Sequence, residues 1–297
     1  MNGILPLWKP RGMTSHDCVA KIRRLFRTKK VGHTGTLDPE VEGVLPICIG
    51  QATKIVPYLT DTKKVYIAEL KLGSTTDTED AHGKIIEQKE VIWIPSHEEI
   101  ETVLNRFKGQ IVQVPPMFSA VKVNGKKLYE YARANETVDR PKRKVNIEQL
   151  QLIDIKENRI KLKITCSKGT YIRTLCVDIG KALGYPAHMS DLMRTETGSF
   201  SVEDTVTFEQ LEEKEKLQQH TDLLLPIIRG LSHLDHYSVN EEVSKKVLFG
   251  QKLPKPMINL KTNPFIILYQ KEILAIYQEH PDNSDQIKPV RVFPLDG

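Results

Sequence analysis

Apolar and polar residues alternate most cleanly in two stretches of the chain. Over residues 64–72, Tyr66, Ala68, Leu70 and Leu72 fall on one side, and Glu69 and Lys71 on the other. Over 160–166, Ile160, Leu162, Ile164 and Cys166 alternate with Lys161, Lys163 and Thr165. A period of two marks a strand with one buried face, so both stretches are expected to be strands. Polar residues 73–83 after the first read as a loop. Helical spacing appears elsewhere. Ser15 is placed to cap a helix over about 16–27, with Val19, Ile22, Leu25 and Phe26 on one side and Lys21, Arg23, Arg24 and Arg27 on the other. Ser96 and Glu99 form a capping box for a helix to about Phe107, with Gly109 as its stop.

Residues 111–145 are rich in Pro, Lys and Arg and read as a long excursion with one short helix near 126–134. The second strand ends at Ser167-Lys168-Gly169. Thr170-Tyr171-Ile172-Arg173 then leads into a helix of about 174–183 closed by Gly184. An acidic helix near 207–218 precedes a change of texture after about residue 235. From there come short apolar runs broken by Pro254, Pro256, Pro264, Pro281 and Pro289, and no long amphipathic helix. That spacing predicts a small β-rich unit over 236–297, following a larger unit over 1–235. The mixed order of strands and helices argues for an α+β fold rather than a doubly wound parallel sheet.

The 297 residues suffice for that arrangement, and 39% hydrophobic with 27% charged residues is an ordinary globular balance. No apolar run is long enough to cross a bilayer, and the N-terminus lacks the apolar stretch of a signal peptide, so a cytoplasmic location is expected. Charge is segregated. Residues 9–30 hold eight Lys/Arg and one Asp, and 139–173 hold ten Lys/Arg and four acids. Residues 74–101 carry eight acids and two lysines, and 203–222 seven acids and two lysines. Charge runs are usually just solvated faces, yet two basic blocks predict a face for a polyanion, with acidic surface elsewhere.

Cys18, Cys48, Cys166 and Cys176 form no CxxC pair, and His233 with His236 lacks a second ligand pair, so no metal site is expected. Neither a Walker loop nor a GxGxxG motif follows a strand, so no cofactor is expected. Side chains must then supply the chemistry. The leading candidate is Asp38, in Gly32-His33-Thr34-Gly35-Thr36-Leu37-Asp38-Pro39, followed by Gly43 and Leu45. Two glycines and a proline make this an irregular segment. A turn is the plainer reading, but a loop on a rigid scaffold also aims side chains for chemistry.

Four further segments join the loop: Trp8-Lys9-Pro10 with Gly12 and Ser15; Val65-Tyr66; Pro115-Pro116-Met117-Phe118-Ser119-Ala120-Val121-Lys122-Val123-Asn124-Gly125 with Tyr129 and Ala132-Arg133; and Lys168-Gly169-Thr170-Tyr171-Ile172-Arg173. Together, over about residues 3–200, they closely resemble the bacterial TruB family of tRNA pseudouridine synthases, which modify uridine 55 in the T-loop. The resemblance implies the pseudouridine synthase fold, with a mixed, mainly antiparallel central sheet flanked by helices, and residues 111–145 as an RNA-gripping insertion. More weakly, it implies a PUA-like RNA-binding domain at the C-terminus.

The activity implied is a cofactor-free isomerisation, in which uracil leaves its N-glycosidic bond, turns, and is rejoined through carbon. Asp38 maps to the essential carboxylate, which can act as a nucleophile toward ribose or base, or stabilise charge. Burial disfavours an ionised carboxylate and a nearby cation restores it. The resemblance gives that role to Arg173, through a bidentate grip. It sets Tyr66 against the target uracil, where stacking offsets lost base stacking and the hydroxyl assists proton transfer. Tyr171 and Leu192 match further pocket positions. On residues alone, Tyr66, Tyr171 and Leu192 read equally as core.

His33 matches the side chain that family members insert into the T-loop as nucleotides flip outward. Lys9 and Pro10 match an opening that buttresses the active loop. Lys9 is also grouped with Arg23, Arg24, Arg27, Lys29, Lys30, Arg140, Lys142, Arg143 and Lys144 as an RNA-facing cation, phosphate contact being independent of sequence. The implied partner is the tRNA T-stem-loop, with no membrane and no required protein partner, and no heptad pattern demands self-association. One alternative is a non-catalytic protein that binds and refolds the tRNA elbow. Another is a glycosidic-bond hydrolase, which usually needs a second carboxylate; the loop offers Glu40 and Glu42.

Overall fold

The computed structural model describes residues 1–294. The chain runs β1 (Gly3–Lys9), α1 (Ser15–Leu25), β2 (Val31–His33), β3 (Glu42–Ile49), α2 (Val56–Thr60), β4 (Lys64–Leu72), β5 (Ser74–Thr76), β6 (Ile85–Gln88), α3 (His97–Asn105) and β7 (Gly109–Gln113). It continues through β8 (Lys122–Val123), β9 (Lys126–Lys127), α4 (Leu128–Arg133), β10 (Arg143–Lys156), β11 (Arg159–Cys166), α5 (Ile172–Ala182), β12 (Ala187–Thr197), β13 (Phe200–Ser201) and α6 (Phe208–Lys216). The remainder is β14 (His236–Ser238), α7 (Glu241–Leu248), β15 (Leu253–Pro254), β16 (Phe265–Tyr269), β17 (Glu272–His280) and β18 (Asn283–Val292).

Nine strands form the central sheet in the order β1-β3-β12-β4-β11-β10-β7, with β2 on β3 and β13 on β12. Every pairing is antiparallel except β3 with β12. The sheet is thus mixed and mainly antiparallel, within an α+β fold. The two alternating stretches are β4 and β11, adjacent in the middle of the sheet. Their apolar faces pack on Ile100, Val103 and Leu104 of α3 and on Ile172, Leu175, Cys176 and Ile179 of α5.

At the other end both faces of the sheet are covered. Leu5, Leu7, Leu45, Ile47 and Ile49 meet α1 and α6 on one face. Ile4, Val44 and Cys48 meet Ile266, Leu268, Ile276 and Phe293 on the other. The last three strands, with β14 and β15, make a separate five-stranded sheet, and this apolar cluster seats it directly against the first. Within it, α7 is a short amphipathic helix capped by Asn240, an element the sequence pattern did not suggest.

Local chemistry sets several boundaries. Thr14, not Ser15, caps α1, in a reciprocal box with Asp17. The box at Ser96 and Glu99 forms as expected. That helix ends at Asn105, however, and Gly109 (φ 83°) opens β7 instead of closing the helix. The acidic helix α6 lies against basic α1, where Glu212 pairs with Lys21 at 2.7 Å and Glu215 with Arg27 at 3.8 Å. Two acids of this run thus pair with the first basic block, while Glu203, Glu209, Glu213 and Asp222 form exposed acidic surface.

Candidate active site

Asp38 lies in the eight-residue connection from β2 to β3, and the main chain there is tied down from four directions. The Ser15 hydroxyl, turned inward and 1% exposed, accepts from Leu37 N at 2.9 Å and donates to Leu37 O at 3.2 Å. Lys9 Nζ donates to Pro39 O and Pro10 O, both at 2.9 Å. Gly12 N also donates to Pro39 O. Arg194 Nη2 donates to Gly35 O at 3.2 Å, and its Nε to Val44 O at 2.9 Å. At Gly43 (φ 129°) a Cβ would stand 2.2 Å from Arg194 O, so only glycine lets β3 approach β12 this closely.

Arg173, on the first turn of α5, meets the carboxylate at Nε–Oδ2 3.0 Å. Its other nitrogens donate to Thr78 O and Phe118 O, each at 3.0 Å. The grip is therefore single, not the bidentate one expected, because the outer nitrogens bind two carbonyls. Asp38 is held from one side while its side chain stays 43% exposed. Tyr171 precedes Arg173 as the N-cap residue of α5. Its backbone is fixed by Gln113, which accepts from Tyr171 N and donates to Tyr171 O.

A cavity of about 270 Å³ opens beside the carboxylate, lined by Asp38 and Leu192 together with Arg11, Glu40, Asp80 and His82 among others. A larger surface groove of about 500 Å³, between 71–74 and 88–94, holds none of the motif residues. Tyr66, 9% exposed on β4, lies near enough for Asp38 to disfavour its ionisation. Burial pushes its phenol above the ordinary tyrosine value, and Arg194, its register partner on β12, opposes that shift. Tyr66 and Tyr171 stand outside the cavity lining, whereas Asp38 and Leu192 share it.

Lys9 is 0% exposed. This corrects its grouping with RNA-facing cations: its ammonium is occupied inside the protein, in the buttressing position. Burial holds it below the usual lysine range. His33 is half-buried at the end of β2, with Nδ1 accepting from Gly35 N at 3.3 Å. Burial lowers its imidazole below the usual value and Arg194 adds to the effect. Arg23, Arg24, Arg27, Lys29, Lys30, Arg140, Lys142, Arg143 and Lys144 are exposed. Of these, Arg23 also donates to Val31 O and Arg140 to Pro115 O.

Sequence reasoning missed Arg194, Gln113 and the inward role of Ser15. It also missed the 77–80 turn, where Thr78 O serves Arg173 and Glu79 Oε2 accepts from Thr174 at 2.7 Å. Burial raises the Glu79 carboxyl above its ordinary value. Among the described residues the buried charged side chains are Lys9, Lys64, Arg173 and Arg194, with no carboxylate among them.

Comparison with known proteins agrees with this picture over the whole chain. The sequence model for the TruB family pseudouridylate synthase N-terminal domain matches residues 23–172, and that for the tRNA pseudouridylate synthase B C-terminal domain matches 173–233. The tRNA pseudouridine synthase B of Oceanobacillus iheyensis is 63% identical, covering 100% of this chain and 99% of its own. That of Listeria innocua is 52% identical, covering 99% of each. Among solved structures, the crystal structure of a Cbf5-Nop10-Gar1 complex contains a chain that superposes with a TM-score of 0.75 at 27% identity, over 99% of this chain and 84% of that one.

Proposed function

Because the chain belongs to the TruB family of pseudouridylate synthases, we propose that it isomerises uridine to pseudouridine in tRNA, at position 55 of the T-loop. The observation that carries the reading is Asp38, an exposed carboxylate on a cavity wall, anchored by Arg173 at 3.0 Å. The reaction requires a carboxylate that reaches the nucleotide and is positioned before it arrives. One side of Asp38 faces Arg173 and the other is open to substrate, which fits that need. In this reading the uracil enters beside Leu192 and meets Tyr66, while Tyr171 completes the pocket. His33 fills the space left in the T-loop when nucleotides flip outward. A neutral imidazole, favoured by its burial, would do so as a flat hydrogen-bonding ring.

The exposed cations of 23–30 and 140–144 would contact phosphates and set the register of the T-stem-loop. Residues 1–235 would form the catalytic unit, with the insertion around 111–145 gripping RNA, and 236–297 a PUA-like RNA-binding unit. The separate five-stranded sheet supports that division. We place the enzyme in the cytoplasm, acting as a monomer without a protein partner or cofactor. Among the described residues no helix is long and apolar enough to cross a membrane.

The test is to incubate unmodified tRNA transcript with the protein and map pseudouridine. Modification at the T-loop uridine is expected; none from folded protein overturns the reading, and release of free uracil would indicate a hydrolase. Asp38→Asn should bind tRNA and lose turnover. The exposed cations also favour a second activity, tRNA binding and refolding at the elbow, which should survive Asp38→Asn.

A further inference from the structure

Arg194 is the largest fully buried side chain, at 1% exposure. A buried guanidinium is costly unless paired, and removal to an apolar residue of similar volume is often neutral or stabilising. Among the described residues no carboxylate lies within ion-pair distance of it; its fixed acceptors are Gly35 O and Val44 O. Each of these carbonyls takes one N–H and leaves the charge without an opposite partner. That charge is therefore available to a neighbour, and the β12/β4 register puts Tyr66 directly across from it on the same face of the sheet.

Three charged or titratable groups face the Tyr66 phenol from the surrounding elements: Arg194 on β12, Cys166 on β11 and Asp38 in the loop. Cys166 and Asp38 disfavour the phenolate, as does burial; Arg194 alone favours it. On the reading that Tyr66 meets the uracil, its hydroxyl is placed to use such help. When C5 of the uracil bonds to C1′, the C5 proton must leave so that its bonding pair restores the C5–C6 double bond, and N1 gains a proton. A phenolate oxygen accepts the C5 proton, and the phenol so formed returns a proton to solvent, leaving the balance closed.

We propose that Arg194 is a positioning residue for this reaction, acting through the Tyr66 hydroxyl that it faces across the β12/β4 pair. The inference rests on the reading that Tyr66 meets the target uracil. It assigns a function to a buried cation that no motif singled out, and it links the Asp38 loop, through Gly35 O, to the tyrosine.

The test has one physical and one kinetic arm. With 3-fluorotyrosine placed at position 66, the fluorine NMR signal reports that phenol alone. Arg194→Met should raise its titration midpoint by about one pH unit or more, with Arg194→Lys between the two. In single-turnover pseudouridine formation, Arg194→Met should cost about a hundredfold when Tyr66 is present and about tenfold or less in a Tyr66→Phe background. The residual loss reflects the Gly35 contact. An unmoved midpoint, or an equal loss in both backgrounds, overturns the proposal. If Arg194→Met does not fold, Arg194→Lys decides both arms; if neither folds, the role is structural and the proposal falls. Wild-type protein that forms no pseudouridine would overturn the functional reading instead, while the fluorine titration would still decide the Arg194–Tyr66 coupling.

Discussion

Replacing Arg173 by lysine separates the two tasks of that side chain. The guanidinium is 7% exposed and meets three acceptors at 3.0 Å: Asp38 Oδ2, Thr78 O and Phe118 O. A lysine ammonium is a point donor that cannot span the fork, so Arg173→Lys leaves at least two acceptors without their donor. Asp38 is 43% exposed, so solvent screens the ion pair, which contributes no more than about 1 kcal/mol to stability. The two carbonyls weigh more, at about 1–3 kcal/mol each when left unsatisfied. Arg173→Lys should therefore destabilise by about 2–6 kcal/mol, whereas Asp38→Asn, which leaves both carbonyl contacts intact, should cost less than about 1 kcal/mol. Both variants should lose activity, the lysine variant by about a hundredfold or more because the carboxylate is no longer aimed. Urea unfolding and single-turnover modification of tRNA transcript read the two quantities. Equal destabilisation by the two substitutions would refute the reasoning, since the ion pair would then carry the stability. So would an Arg173→Lys enzyme that unfolds and turns over like wild type.

Three further outcomes follow from the same geometry. Ser15→Ala removes the hydroxyl that bridges both polar groups of Leu37; urea unfolding should show a loss of about 1–3 kcal/mol. The modification rate should fall while helix content by circular dichroism stays constant, because Thr14 caps α1. His33 has a folded-state value below the usual 6.5, so as pH falls through 6.5 the unfolded chain takes up the proton first and stability drops. The urea midpoint should thus fall more for wild type than for His33→Gln between pH 7.5 and pH 5. Changing Lys142, Arg143 and Lys144 to glutamine should weaken tRNA binding and lessen the slope of log K against log salt by about two. The rate at saturating tRNA should be unchanged, as measured by filter binding and single turnover.

The parts of the fold visible in the sequence were those with one wet face. Strands β4 and β11 alternate because helices cover one side and polar residues occupy the other, and the box at Ser96 is local chemistry. Strands β1 and β3 gave no such signal. Leu5 and Leu7 bury against α1 while Ile4, next to Leu5, buries against the C-terminal sheet, so apolar residues occupy successive positions. Strand β12 hides its period differently. Bulges between Met189 and Asp191, and between Arg194 and Glu196, shift its register, and its buried positions include His188, Arg194 and Thr197. Helix α1 was visible but its cap was misplaced by one residue. Thr14 and Ser15 are both capping types, and only the distant Leu37 takes Ser15 out of the choice.

The candidate site divides along a similar line. Asp38, Arg173, Tyr66 and Leu192 stood out because a motif names side chains. What holds them is mostly main chain: Gly35 O and Val44 O under Arg194, Pro10 O and Pro39 O under Lys9, Thr60 O and Thr62 O under Lys64, Thr78 O and Phe118 O under Arg173. Any residue supplies a carbonyl, so no residue type in the sequence marks these positions. The choice of acceptor also has an electrostatic consequence. Carboxylates in those places would have neutralised Lys9, Lys64 and Arg194. Carbonyls accept from the donors without cancelling the charge, which among the described residues meets a carboxylate only at Arg173, that of Asp38. Burial and the neighbouring Arg194 push Lys64 down to about 8, partly offset by Cys166 and Asp61. Lys9 and Arg194, both bonded to carbonyls of the Asp38 loop, thereby keep their charge beneath it, which favours an approaching polyanion.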